Sequence, residues 1–465
     1  MINKRFRLPK KRIALVAALL SSSLLLSSCS LFLSDYKRPT LPEISSYNAL
    51  QLNTVALPTR YWEVFSDPLL NVVIEKALSG NFDLERTALK VQKARIAADL
   101  SDQDRYVNVQ SSLSADAGRA LSHHDSLQKS SDSSFAISYQ ADLFGRIEAQ
   151  NRTAYEEYGA AIYDDQAMRL TVVENTAKAY WKYAYCKKAV LIMQQSVEDS
   201  QKRVSLVRSK FNAGAADASQ LDTARINDLK MQNSLEEAKS ELAQARTALN
   251  ILLGEGADRD HEVFLPDGAA VKAFPLDVPS ALLEKRPDLM ASEARLRAAL
   301  SKSDETFTAF FPQLTFSAGL KAGSATTFAD FLANPLGSLG AVLTLPFVNF
   351  HRLSLERQSA LKDHEIAQVD FVSSYVNAVK EVYDAVTLVS FDEKKLANAK
   401  AQYALAAVNY DRIFARYRVG TSSLSELLDA ADDKRNSSLA SSESVRALLS
   451  DEIALMAALG GGAPQ

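Results

Sequence analysis

The chain repeats itself. Lys210-Phe211-Asn212-Ala213-Gly214 opens onto a long helical segment that ends Leu253-Gly254. About 206 residues later, without a gap, Arg416-Tyr417-Arg418-Val419-Gly420 opens onto one that ends Leu459-Gly460. Gly214/Gly420, Ser219/Ser425, Leu221/Leu427, Ala224/Ala430, Leu242/Leu448, Ala248/Ala454 and Leu249/Leu455 are identical across that shift. A similar shift aligns Asp83-Leu84 with Asp288-Leu289, and Phe144-Gly145-Arg146 with Phe350-His351-Arg352. Matches of Ala and Leu arise from composition alone, but an ungapped register with paired glycines at both ends points to a tandem duplication. Whatever fold the chain adopts must be built from two similar halves.

Each half carries the same order of elements. A helix rich in Ala, Leu and charge (about Pro68 to Asp104, then about Ser280 to Thr308) precedes two strands, a long helix, a glycine turn and a second long helix. From Ile147 to Asn212 there is one Gly, Gly159, and no Pro; from Leu353 to Val419 there is neither. At a rise of about 1.5 Å per residue, each would run on the order of 90 Å. Leu396, Ala399, Tyr403, Ala406, Ala407 and Tyr410 recur at helical spacing, the stripe of a coiled coil or of a helix that spans a distance.

The strands exclude a plain helical rod. Val107, Val109, Leu113, Ala115 and Ala117 alternate with Asn108, Gln110, Ser112, Ser114 and Asp116. Phe135, Ile137, Tyr139, Ala141 and Leu143 alternate with Ser134, Ala136, Ser138, Gln140 and Asp142. In the second half Leu314, Phe316, Ala318, Leu320 and Ala322 do the same, and Leu339, Ala341, Leu343 and Leu345 follow less strictly. Runs of about 9–11 residues at period two suit tilted transmembrane strands with a lipid face and a lumen face. Aromatics (Tyr106, Phe144, Phe310, Phe311, Phe347, Phe350) gather at the helix-side ends, where a girdle meets the membrane surface. Four strands are too few to close, and an open edge is not tolerated in lipid, so more than one chain must share a barrel.

The beginning of the chain gives its address. Lys4, Arg5, Arg7, Lys10, Lys11 and Arg12 precede the apolar stretch Ile13 to Leu26, which ends in Leu26-Ser27-Ser28-Cys29. That is the form of a secretory signal, too short for a transmembrane helix. Leu-Ser-Ser-Cys resembles the bacterial lipobox, whose Cys becomes a lipidated first residue, and Ser30 in place of Asp favours the outer membrane by the same resemblance. Cys29 is therefore expected to be an anchor bearing diacylglycerol and an N-palmitoyl group, which leaves Cys186 alone as a small core or interface residue.

Longer stretches resemble the TolC/OprM type of outer-membrane efflux factor, in its lipoprotein, NodT-like branch. The residues that carry this are Tyr61-Trp62-Glu63-Val64-Phe65-Ser66-Asp67-Pro68-Leu69 with Ala77-Leu78-Ser79-Gly80-Asn81-Phe82-Asp83-Leu84, and Val278-Pro279-Ser280-Ala281-Leu282-Leu283-Glu284-Lys285-Arg286-Pro287-Asp288-Leu289. Glu293-Ala294-Arg295-Leu296, Phe310-Phe311-Pro312-Gln313-Leu314, Asp142-Leu143-Phe144-Gly145-Arg146 and Ala457-Ala458-Leu459-Gly460-Gly461-Gly462 continue it across nearly the whole mature chain. His351 departs from the pattern, standing where a Gly commonly precedes the Arg, and the tail after Gly462 is short. The resemblance implies a membrane α+β fold: a homotrimer with a twelve-stranded transmembrane barrel, four strands per chain, continuous with a long periplasmic helical barrel. It implies residues 1–28 as signal peptide, 29–65 as lipidated linker, 66–255 and 278–462 as the two repeats, and 256–277 between them. It also implies a periplasmic adaptor and an inner-membrane pump as partners. Gly214 and Gly420 become periplasmic hairpin tips, and Tyr417, Glu426 and Asp429 the gate. Gln220 and Thr223 stand in the first half where the second has its two acids.

Other chemistries find no support. The formal net charge is −3, so no basic excess points to nucleic acid. No phosphate loop, nucleophile elbow, zinc-protease or paired-cysteine motif occurs. His123, His124, His261, His351 and His364 are scattered and the six Met dispersed, which argues against a metal site. The expected role is non-enzymatic: a passive exit duct for small molecules such as drugs and toxic compounds. A duct for type I protein secretion and a non-conducting structural lipoprotein stalk remain the alternatives.

Overall fold

The computed structural model describes residues 32–42, 58–118, 128–266, 286–323 and 336–461. Cys29, His123, His124, residues 278–285 and Gly462 lie outside them. Two compact units are drawn from several stretches each: the described residues within 1–40, 90–162 and 291–372 form one, and those within 41–89, 163–290 and 373–465 the other. The first half runs α1 (Pro68–Gly80), α2 (Phe82–Asp102), β1 (Asn108–Gly118), β2 (Gln128–Ala141), α3 (Arg146–Asn212) and α4 (Ala218–Leu252). The second runs α5 (Pro287–Thr308), β3 (Gln313–Gly323), β4 (Leu336–Thr344), α6 (Phe350–Arg418) and α7 (Leu424–Ala458). At 67 and 69 residues, α3 and α6 are the long uninterrupted helices that their lack of Pro predicts.

The helix expected over Pro68 to Asp104 is instead two helices. Asp67 caps α1 by accepting from the Leu69 and Leu70 N–H groups, with Pro68 at the first turn. Asn81 leaves the helical conformation with ψ 126°, and its Oδ1 accepts from the Asp83 and Leu84 N–H groups (2.9 and 3.3 Å) to start α2. The amide of Asn81 also donates to the Leu252 carbonyl at 2.9 Å, so the break is tied to the end of α4. β2 likewise starts earlier than the alternation suggested, at Gln128.

In the first unit the four strands form one antiparallel sheet in the order β1-β2-β3-β4. The register aligns Val109, Ile137, Ala318 and Leu339 in one row, and Tyr139, Phe316 and Ala341 in another. Because side chains alternate at period two, this collects the apolar residues on one face and Gln110, Ser112, Ser134, Ser138, Thr315 and Ser317 on the other. The polar face is laced by Ser112 Oγ and Ser134 Oγ at 2.7 Å. Among the described residues the apolar face is left open, from Phe135 and Ile137 at 36% exposed to Leu113 at 72% and Leu339 at 90%. At the helix-side ends Phe144 stacks on Phe311 with centroids 4.8 Å apart, and Phe32 meets both. The following strap runs along α5, where the Ser34 N–H and hydroxyl donate to Asp304 and Tyr36 donates to Glu293.

The second unit holds the main core. Trp181, Tyr180 and Tyr183 of α3 are buried against Leu70 and Ile74 of α1, Leu249 of α4 and Ile453 of α7. Tyr180 donates to Asp67 at 2.8 Å and accepts from the Phe264 N–H, so the capping residue of α1 also satisfies a buried phenol. Cys186 is a free, buried thiol in this core, and burial pushes its pKa up.

Arg286 shows what the Arg-Pro-Asp-Leu stretch does. Its guanidinium makes a two-pronged contact with Asp288 (3.0 and 2.8 Å), donates to Glu381 at 2.6 Å, and donates to the Ala458 carbonyl at 2.7 Å. One buried side chain thereby clasps the start of α5, the flank of α6 and the end of α7.

Candidate functional site

Both hairpin turns close on a glycine in the left-handed region, Gly214 at φ +73° and Gly420 at φ +84°, a conformation costly to any residue with a Cβ. The Gly214 N–H donates to Phe211 and the Ala215 N–H to Lys210; the Gly420 and Thr421 N–H groups donate to Tyr417 and Arg416. Beside the turns Val207 of α3, Leu221 and Ala224 of α4, Tyr417 of α6, and Leu424 and Leu427 of α7 form a small apolar cluster. It joins the two hairpins.

Of the three residues that the resemblance assigned to a gate, Tyr417 is buried at 5% exposure, while Glu426 and Asp429 are exposed. Lys210 stands over the Tyr417 ring with Nζ 3.7 Å from its centroid and donates to the Tyr417 carbonyl at 2.7 Å. Burial raises the Tyr417 pKa. Glu426 closes a capping box on α7. Its carboxylate accepts from the Ser423 N–H at 2.9 Å, and Ser423 Oγ accepts from the Glu426 N–H at 3.2 Å. The Ser422 hydroxyl donates to the same carboxylate. That hydrogen bond, with the one from the Ser423 N–H, holds the Glu426 pKa below the usual glutamate range. Glu426 and Asp429 are three apart on one helix, hence on one face.

In the sequence Lys210 is one residue of the repeat, and nothing local marks it as the residue that bridges the hairpins. Ser423 also escaped the sequence reading, although Ser-x-x-Glu before an apolar run is a capping signal that could have found it. Among the described residues no group of three or more His, Cys, Asp or Glu is placed to hold a metal ion. His261 is buried, with a ring nitrogen 2.8 Å from Asn250 Oδ1, and burial lowers its pKa. No described helix is long and apolar enough to cross a membrane.

These features coincide with a known family. The family described as "Outer membrane efflux protein" matches the chain twice, over residues 73–255 and 278–461. The chain belongs to that family, and its place is the outer membrane. It is 27% identical over 451 residues to the cation efflux system protein CusC of Escherichia coli, covering 95% of this chain and 98% of CusC. It is 28% identical over 472 residues to the toluene efflux pump outer membrane protein TtgF of Pseudomonas putida, covering 95% of each. The solved outer-membrane channel OprN superposes with a TM-score of 0.82 at 24% identity, covering 93% of this chain and 99% of that one.

Proposed function

We propose that three copies of this chain join their sheets edge to edge into one twelve-stranded barrel, and that their helices form a periplasmic duct leading to it. The observation that carries this reading is the sheet: one continuous apolar face, one polar face, and two outer edges, β1 and β4, that no described strand covers. Lipid suits such a face and cannot suit such edges, and closure by copies satisfies both. A twelve-stranded barrel leaves a passage where eight strands would be filled by side chains.

In this reading the duct is passive and works on its cargo by no chemistry. A periplasmic adaptor and an inner-membrane pump complete the machine and supply its energy. CusC and TtgF, about equally similar to this chain, carry names with different cargoes, a cation and toluene. A duct that leaves selection to its pump gives that result, so small molecules are the cargo and this chain does not choose among them. Lipid on Cys29 adds an anchor; Phe32, three residues on, is held against Phe144 and Phe311. The turns at Gly214 and Gly420 are the periplasmic tips. Tyr417 packs the gate from within, and Glu426 and Asp429 supply its charge.

The test is planar-bilayer recording on the purified full-length protein, with discrete conductance steps expected and their absence counting against a duct. The sheet is tested separately. Leu113→Arg, on the apolar face at the middle of β1, costs about 2–4 kcal/mol near the midplane and reduces heat-modifiable trimer, whereas Gln110→Arg on the polar face leaves trimer yield intact and changes conductance.

A further inference from the structure

Arg203 on α3 is buried at 5% exposure, and its Nε meets no hydrogen-bond acceptor. No carboxylate among the described residues pairs with its guanidinium. A charge taken out of water without a partner is costly, and Arg286 shows how the same chain treats a buried guanidinium that serves structure: three acceptors surround it. Arg203 has the burial without the partners.

It lines a groove of about 380 Å³ between three helices. Asp199 and Arg203 line it from α3, Tyr403 and Tyr410 from α6, and Lys434 and Arg435 from α7. The spacings of four on α3 and seven on α6 put each of those pairs on a single helix face turned to the cleft, and α7 adds the adjacent Lys434 and Arg435. The charges do not balance. Arg435 is answered by Asp432 at 2.6 Å. Asp199 is already engaged, accepting from Gln195 and lying 3.6 Å from Lys202. Lys434 has only the ring of Tyr410, its Nζ 4.6 Å from the centroid, and no described carboxylate meets it. Two cations therefore face the groove uncompensated, beside two tyrosine rings and the apolar side chains of Leu191 and Ile192.

We propose that this groove binds an amphipathic organic anion: a carboxylate, sulfonate or phosphate head on an aromatic or alicyclic body. The head pairs with Arg203 and Lys434, where charge-assisted hydrogen bonds are strongest. The body lies against Tyr403, Tyr410, Leu191 and Ile192. A volume of about 380 Å³ falls in the range of small-molecule pockets. An inorganic anion would leave the apolar walls unused, and a neutral aromatic would leave Arg203 unpaired. The site lies within one chain, so it stands whether or not the duct reading does.

The probe is naphthalene-2-sulfonate, titrated calorimetrically into the full-length protein in an uncharged detergent, with 2-naphthalenemethanol as the neutral control. The sulfonate is expected to bind saturably and the alcohol at least about tenfold more weakly. Arg203→Gln should weaken the sulfonate by about tenfold or more, and Lys434→Gln by several-fold. Without ligand, Arg203→Gln should unfold at the wild-type temperature or above, because it removes an unpaired buried charge. The sulfonate should raise the unfolding temperature of the wild type and leave that of Arg203→Gln unmoved. Absence of saturable binding, equal binding of sulfonate and alcohol, or equal binding by wild type and Arg203→Gln overturns the proposal. So does a loss of ligand-free stability in Arg203→Gln, which would show that the guanidinium already has its partner inside the fold.

Discussion

At the turn of the first half, Phe211 precedes the glycine by three and is 40% exposed; at the turn of the second, Tyr417 holds the same place and is 5% exposed. The backbone hydrogen bonds around them are the same pair. The ends of the helices that follow repeat this. Gly254 and Gly460 both take positive φ and donate to Ile251 and Ala457, and the next residue in each case donates to the carbonyl five back. Yet Gly254 faces the Gly80 carbonyl, while Gly460 faces the side chain of Arg286. The duplication has kept what sets backbone direction and let go of what the side chains meet. Equivalent positions therefore share conformational demands but not energetic weight, and substitutions at matched places should separate the two.

The glycines should separate most. A Cβ on Gly254 would stand 2.2 Å from the Gly80 carbonyl oxygen, a backbone atom that cannot swing away, whereas on Gly460 it would meet Arg286 Cγ at an ordinary 3.4 Å. Gly254→Ala should cost about 3 kcal/mol or more, strain and clash together, and Gly460→Ala about 1 kcal/mol from φ alone. Thermal unfolding of both variants in detergent measures the gap. Equal losses would mean that the backbone approach at Gly80 relaxes freely.

Next come the two cations before the turns. Lys210 reaches across to the second hairpin, whereas Arg416 donates to Thr421 of its own turn at 3.2 Å. Lys210→Met should cost about 1–2 kcal/mol through the lost carbonyl bond and ring contact. Arg416→Met, exposed and local, should cost no more than about 0.5 kcal/mol. Hydrogen–deuterium exchange of the tip peptides reports both: Lys210→Met should loosen both hairpins and Arg416→Met only the second. The caps come third. Ser423→Ala removes the hydroxyl that accepts from the Glu426 N–H, leaves the Ser423 backbone N–H donating to the Glu426 carboxylate, and should cost about 1 kcal/mol, while Gln220→Glu gives the first helix the acid it lacks and should gain a few tenths of a kcal/mol. Exchange protection at the first turn of each helix checks the two signs.

How much of this the sequence disclosed depended on whether the cause was local. Periodicity and the absence of Pro made α3 and α6 legible to within a few residues, and strict alternation gave β1 and β3 with their faces. The break at Asn81 was not legible, because a Gly-Asn pair inside a good helical pattern becomes a cap only when Leu252 supplies its carbonyl from far along the chain. The repeat paired Gly214 with Gly420 as turn glycines, and both take a left-handed φ; only the resemblance made them periplasmic tips. Tyr417, Glu426 and Asp429 were named together by resemblance, yet the structure divides them into one buried ring and two exposed acids. Lys210 and Arg203 escaped notice for a common reason: a lone cation on a long helix reads as solvated until its surroundings are known.

The smallest expected effect on stability falls on the two acids, where the question is whether they serve the helix or the duct. Glu426 accepts hydrogen bonds in the folded state that hold its pKa below the ordinary glutamate value. A carboxylate with a depressed folded pKa contributes stability that is full above its unfolded pKa and is lost as pH falls through the folded one. The second tip should therefore begin to fray below about pH 4.5, seen as faster exchange at the Ser423 amide. Glu426→Gln should flatten that dependence while its amide oxygen still accepts from Ser423. If Glu426 serves only the cap, this substitution leaves ion selectivity alone. If three copies bring Glu426 and Asp429 around a narrow passage, like charges gather there and attract cations. Glu426→Gln/Asp429→Asn should then lower cation selectivity and relieve block by multivalent cations entering from the periplasmic side. Gln220→Ala/Thr223→Ala, the matched pair in the uncharged tip, should change neither. Single-channel recording on the two double variants decides between these readings: unchanged selectivity in the first would confine both acids to the helix they begin.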